Sequence, residues 1–155
     1  MYISLIAVLA LKFAISASLF EQGQLAEKQG QMDVALSLYH DHLNEEPDSV
    51  QTILSIAYLF AQRGAINQAA QYFEMAAKID QDPKILFNLG YAYLQLGRIN
   101  DALSVFTRVT EINPLFRPAH VKLASIYRDL GQNDLVVKHL HKFNFKKGSF
   151  ICFIP

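Results

Sequence analysis

Residues 87–106 read FNLGYAYLQLGRINDALSVF. Leucine, alanine and aromatic residues recur in this run at helical spacing, yet Gly90 and Gly97 interrupt it. A glycine inside a helix costs about 1 kcal/mol relative to alanine, so two of them need a reason. The rest of the chain supplies one. From Gly90, seven residues lead to Gly97, five more to Ala102, four more to Phe106 and eight more to Pro114. The same steps from Gly23 give Gly30, Ala35, Tyr39 and Pro47. From Ala57 they give Gly64, Ala69, Phe73 and then Gln81 in place of the proline. From Ala124 they give Gly131, Val136, Leu140 and Gly148, a fading copy. The four starting points lie 34, 33 and 34 residues apart, the spacing of a repeated supersecondary unit.

Each step has a physical meaning. The first small residue lets a second helix approach closely. The glycine seven residues on ends the first helix, where a positive φ is wanted. The alanine is a second close contact on the returning helix, and the aromatic four residues later lies on the same face and fills the space between helices. The proline closes the unit. Asp82-Pro83 then opens the next one, as an N-cap followed by proline in the first turn. The apolar stripe agrees: Ile53, Ile56 and Ala57 recur as Leu86, Leu89 and Gly90, and again as His120, Leu123 and Ala124. The spacing predicts antiparallel helix pairs at about 16–29 and 32–45, 50–63 and 66–78, 83–96 and 99–112, and 117–130 and 133–145.

The pattern resembles the tetratricopeptide repeat family. Gly90, Tyr93, Gly97, Ala102, Phe106 and Pro114 carry the motif in the best copy, and the resemblance covers roughly residues 16 to 134. The first copy departs at Ala26 and His42, and the fourth at Val136 and Leu140, as end repeats often do. The resemblance implies an all-α, right-handed α-solenoid of antiparallel helix pairs, with about three full units and an atypical fourth. The division expected is an apolar N-terminal segment over 1–15, the repeat domain over 16–145, and an apolar and basic tail over 146–155.

In this family the first helix of each pair lines a concave groove. First-helix residues not used by the packing stripe include Leu54 and Tyr58, then Phe87, Asn88, Tyr91, Leu94 and Gln95, then Val121, Lys122, Ser125 and Arg128. These are the expected peptide-binding residues. Gln51, Ser55, Gln62, Lys84 and Asp129 share the same sides, as do Phe20, Glu21, Gln24 and Lys28 in the first repeat. An apolar and aromatic strip of this kind, facing water, marks a binding surface, and tyrosine suits interfaces. Against this stands the plain reading that Phe87 and Tyr91 pack on adjacent helices. Some family members clamp a C-terminal carboxylate with lysines, asparagines and an arginine. Here Asn88 and Lys122 fall at two such places, but Leu54, Tyr58 and Pro118 fall at the others, and an apolar residue cannot hold a carboxylate. An extended or helical peptide with apolar anchors fits better.

Catalytic patterns are not found. His40 and His42 form an H-x-H pair, as do His139 and His141. Residues two apart on a helix point about 200° around the axis from one another, so neither pair chelates from one face. All four are predicted as surface histidines, and His120 as a half-buried structural one. No glycine-rich loop follows a strand, and no serine has a nucleophile-elbow context. No enzyme activity, cofactor or metal is expected. Lys and Arg number fourteen, as do Asp and Glu, so nothing points to nucleic acid. The charge is uneven, however. Between residues 21 and 50 stand seven acids against Lys28 alone, and after Asp134 come only Lys138, Lys142, Lys146 and Lys147. The one cysteine, Cys152, permits no intrachain disulfide.

Residues 1–20 carry a single charge, Lys12. Three readings compete: a secretory leader, a membrane anchor that would make membrane contact, and a helix packing on the first repeat. The apolar character favours an exported or anchored protein over a cytoplasmic one. Function is expected to be that of an interaction scaffold holding a peptide segment of a protein partner. The alternatives are a small chaperone for secreted proteins, similar to those of type III secretion, and a structural part of an envelope or membrane assembly.

Overall fold

The computed structural model describes residues 18–141. The readings made for residues 1–17, for the tail after 141 and for Cys152 lie outside the described residues. Eight helices follow in order: α1 Leu19–Lys28, α2 Met32–Glu45, α3 Val50–Gln62, α4 Ile66–Ile79, α5 Pro83–Gln95, α6 Ile99–Ile112, α7 Arg117–Asp129 and α8 Asn133–His141. No strand occurs among the described residues. The expected all-α fold of helix pairs is what forms, with boundaries within a few residues of those predicted; the predicted end of the last helix, at about 145, lies outside the described residues.

Local chemistry sets the helix ends. Ser18 caps α1 in a reciprocal box: Glu21 N–H donates to Ser18 Oγ at 3.2 Å, and Ser18 N–H donates to Glu21 Oε2 at 3.0 Å. Asp82 caps α5 through Lys84 N–H at 2.7 Å, with Pro83 in the first turn where its missing N–H costs nothing. The first helix of every pair ends in the same way. Gly97 has φ +71°; its N–H donates to Leu94 O at 3.0 Å, and Arg98 N–H donates to Tyr93 O at 2.9 Å. This crossed pair of bonds satisfies carbonyls that the helix leaves open. Gly30, Gly64 and Gly131 have φ of 75°, 75° and 71° and head the same crossed pair.

The chain divides into two compact units, one ending at Ile79 and the other beginning at Asp80. In the first, α1 packs on α2, α2 on α3 and α3 on α4; in the second, α5 packs on α6, α6 on α7 and α7 on α8. The first unit buries Ala35, Tyr39, Ile53, Ile56, Ala57, Leu59 and Phe73. The second buries Leu89, Ala102, Phe106, Val109, Ala119 and Leu123. Phe106 is wholly buried and lies against Gly90: a Cβ built there would sit 2.8 Å from its Cε1. A Cβ on Gly23 would sit 2.5 Å from Tyr39 Cε1. The first small residue of the repeat is therefore the floor on which the partner helix lays its ring.

Tyr39 carries a further constraint, because its hydroxyl is polar. It donates to Glu27 Oε2 at 2.8 Å, tying α2 to α1. Burial, then that hydrogen bond, then the carboxylate charge push the phenol up to about 12 from 10.0.

Two outcomes follow. Gly90→Ala forces a methyl into the Phe106 ring and lowers stability by about 1–3 kcal/mol in urea unfolding. In a Phe106→Leu background the same alanine costs less, because the ring it meets is gone; equal costs in both backgrounds would refute the contact. For Tyr39 the folded pKa lies above the unfolded one, so its contribution is complete below about pH 10 and is lost as pH rises toward about 12. Tyr39→Phe removes that alkaline loss, measured by urea unfolding at about pH 9 and about pH 11.

Candidate functional site

The first helix of each pair is held by its second helix on one side, so the remaining side is set by the packing. On α3, in the first unit, Leu54 is half-buried and Tyr58 is 43% exposed. Tyr58 meets the Phe73 ring edge-on at 5.4 Å and 75°, so one side of it is fixed while the other is open to water.

In the second unit, α5 presents Tyr91, 45% exposed, and α7 presents Val121, 46% exposed. The Lys122 ammonium stands over the Tyr91 ring, 5.0 Å from its centre. This joins α5 to α7 by a cation–π contact worth about 0.5–1 kcal/mol at an exposed site. Leu94, Asn88 and Ser125 are half-buried, and Gln95 and Arg128 are exposed. Arg128 donates to Ser125 Oγ at 3.3 Å and to Asp129 Oδ1 at 3.4 Å, so part of its charge is compensated. Phe87 belongs to the packing as much as to the surface, since its ring lies 5.5 Å from both Phe106 and Phe116. Phe20 of the first repeat does the same, with its ring 5.6 Å from Tyr39 and 5.8 Å from His42.

Two histidines predicted at the surface are not there. His42 is 8% exposed, and its Nδ1 lies 2.9 Å from Thr52 Oγ1, which in turn lies 2.9 Å from Ser49 Oγ. His139 is half-buried against His120. The repeat register explains both. His42 occupies the place of Ala76 and Val109, which are wholly buried. His139 occupies that of Leu38, Tyr72 and Val105, which are half-buried. His40 and His141 are exposed as expected, and His120 is more deeply buried than expected, at 2%. Glu46, His42 and Thr52 have the residue types of a proton relay. Glu46, however, stands 3.9 Å from His42 Nε2, and Thr52 is wholly buried beyond the reach of a substrate. The trio ties α2 to α3.

Among the described residues no group of three or more His, Cys, Asp or Glu could hold a metal, and no helix is long and apolar enough to cross a membrane. What the first helices offer is apolar side chains open to water with cations beside them. That surface can bury against a partner.

Comparison with known proteins supports the same architecture. Models of the tetratricopeptide repeat match residues 20–84 and 83–116, together more than half of the chain. Over 73 residues the chain is 33% identical to the general transcriptional corepressor trfA of Dictyostelium discoideum, a match covering 46% of this chain and 5% of that protein. Among solved structures, MamA superposes with a TM-score of 0.73 at 21% identity, over 81% of this chain and 69% of MamA. A tetratricopeptide repeat protein from Parabacteroides merdae superposes with a TM-score of 0.77 at 18% identity, over 85% of this chain and 54% of the other. At such identities the likeness is one of fold.

Proposed function

The chain belongs to the tetratricopeptide repeat family of protein–protein interaction scaffolds, and we propose that it holds a peptide segment of a protein partner on the open sides of its first helices. The observation that carries this reading is the exposure of Tyr58, Tyr91 and Val121, at 43%, 45% and 46%, on helices whose other sides are packed. Tyr58 and Tyr91 occupy the same place in successive repeats. The packing does not require a large ring left half in water at both. A partner's apolar side chain would remove that surface from water at about 25 cal/mol per Å². The tyrosine hydroxyls, Asn88 and Gln95 would offer hydrogen bonds to its backbone. Leu94 and Leu54 would floor the two contact areas, and Lys122, Ser125 and Arg128 would meet carbonyl or acidic groups.

A displayed library of random peptides, selected on the full chain, tests the reading with no partner assumed. Tyr91→Ala with Val121→Asp is expected to weaken selected peptides tenfold or more, equivalent to about 1.4 kcal/mol or more. Helix content and unfolding midpoint should stay near those of the parent, since both side chains are surface-exposed. Peptides that bind the double variant as tightly as the parent would place the binding surface elsewhere.

A further inference from the structure

Helix α8 is held differently from the other seven, because none of its residues is fully buried. Part of what fastens it to α7 is polar. His139 Nδ1 lies 3.0 Å from His120 Nδ1, with the ring centres 5.2 Å apart. Tyr127 of α7 stacks on the His139 ring at 5.6 Å and 20°. His120 is 2% exposed, and its Nε2 lies 3.2 Å from the carbonyl oxygen of Pro114.

These positions fix where the protons are. A carbonyl oxygen only accepts, so His120 Nε2 carries a hydrogen and donates it. Neutral His120 then presents a bare lone pair at Nδ1. The proton between the two rings must come from His139 Nδ1. His139 can supply it whether that ring is neutral or singly charged. His120 Nδ1 can take up a proton only if His139 Nδ1 gives up its own, because two N–H groups would otherwise point at each other across 3.0 Å. Two cationic rings would also stand 5.2 Å apart with one of them buried, which disfavours the doubly charged state further.

We propose that the His120–His139 pair is an acid-sensitive latch that fastens α8 to α7 and releases it when both imidazoles are protonated. The docked pair holds at most one excess proton and the released pair holds two. Docking therefore weakens as pH falls below the ordinary imidazole value of about 6.5, by up to about tenfold per pH unit.

The two helices that carry the pair bear more cations than acids. On α7 stand Arg117, Lys122, Asp129 and Arg128, besides Tyr127; on α8 stand Asp134, Lys138 and His141. On α6, Arg108 and Glu111 pair with each other at 3.3 Å, and Asp101 pairs with Arg98 at 2.7 Å. The cations of α7 and α8 outnumber the two acids, and Asp129 already faces Arg128 at 3.4 Å. A second positive charge on the pair is therefore added to a surplus of cations. Release would uncover His120 and the Tyr127 ring on α7.

Amide hydrogen exchange of the full chain, corrected for intrinsic rates, tests the latch between about pH 7.5 and about pH 5. Residues 133–141 are expected to lose protection by tenfold or more, while α5 and α6 keep theirs. The His139→Gln amide can donate its N–H to neutral His120 Nδ1 or, turned over, accept at Oε1 from protonated His120, so docking no longer excludes a proton and α8 should stay protected across the range. Imidazole nitrogen shifts at neutral pH should show a hydrogen on His139 Nδ1 and on His120 Nε2. Wild-type α8 protection that does not change with pH would overturn the proposal. So would the same pH dependence in His139→Gln, or the opposite tautomers.

Discussion

The contact on which most else depends is a flat ring laid on a residue with no side chain. Phe106 lies on Gly90 and Tyr39 lies on Gly23. A ring resting on backbone leaves the returning helix little freedom to slide or turn, because any other register meets a Cβ. The crossed hydrogen bonds around the positive-φ glycine fix the other end of the same joint. Between them these two devices orient the first helix about its own axis. Tyr91 directly follows Gly90, so it is turned about 100° away from the ring-covered side. Its exposure is a consequence of where Phe106 sits.

That dependence separates surface that the fold requires from surface that it does not. Phe87 is accounted for by packing, since it fills space between Phe106 and Phe116. Phe20 is accounted for by Tyr39 and His42. Tyr58 meets Phe73 and Tyr91 meets Lys122, yet the two leave 43% and 45% of their surface in water. A fold alone would tolerate a polar residue at either place, as it does at Ser125 and Gln24 in the same register. The functional reading rests on this surplus of apolar surface.

The helix pairs were legible in the sequence because their determinants are periodic. One spacing of small residue, glycine, alanine and aromatic specifies each joint, and it recurs in register. The parts that were not legible depend on contacts outside that period. Phe116 belongs to the connection before α7, and its coverage of Phe87 follows from the loop conformation. The burial of His42 could have been read from its register with Ala76 and Val109. Its hydrogen bond could not, because Thr52 lies on another helix and stands where other repeats have Ile85 and Ala119. Two polar residues at two core positions had to find each other, since an unpaired buried donor or acceptor costs about 1–3 kcal/mol. Treating each H-x-H pair by helical geometry correctly split its members onto different sides. What it missed was that one member of each pair would face inward.

The two units offer different chemistry to a partner. On α3 the residues around Tyr58 are Gln51, Leu54, Ser55 and Gln62, all uncharged. In the second unit Lys84, Lys122 and Arg128 stand among Tyr91, Leu94 and Val121, against Asp129 alone. Ion pairs formed by such exposed cations contribute only about 0–1 kcal/mol each and weaken with salt. They can select a partner and speed its approach, but they cannot supply most of the affinity. In the proposed complex that would come from apolar burial on Tyr58, Tyr91 and Val121. The position of Lys122 limits how far charge and burial can be separated, because its ammonium lies over the Tyr91 ring. A ligand that covers that ring face must displace the lysine or bring an anion to it, so in the proposed site the aromatic anchor and any charge preference of the second unit would be one feature.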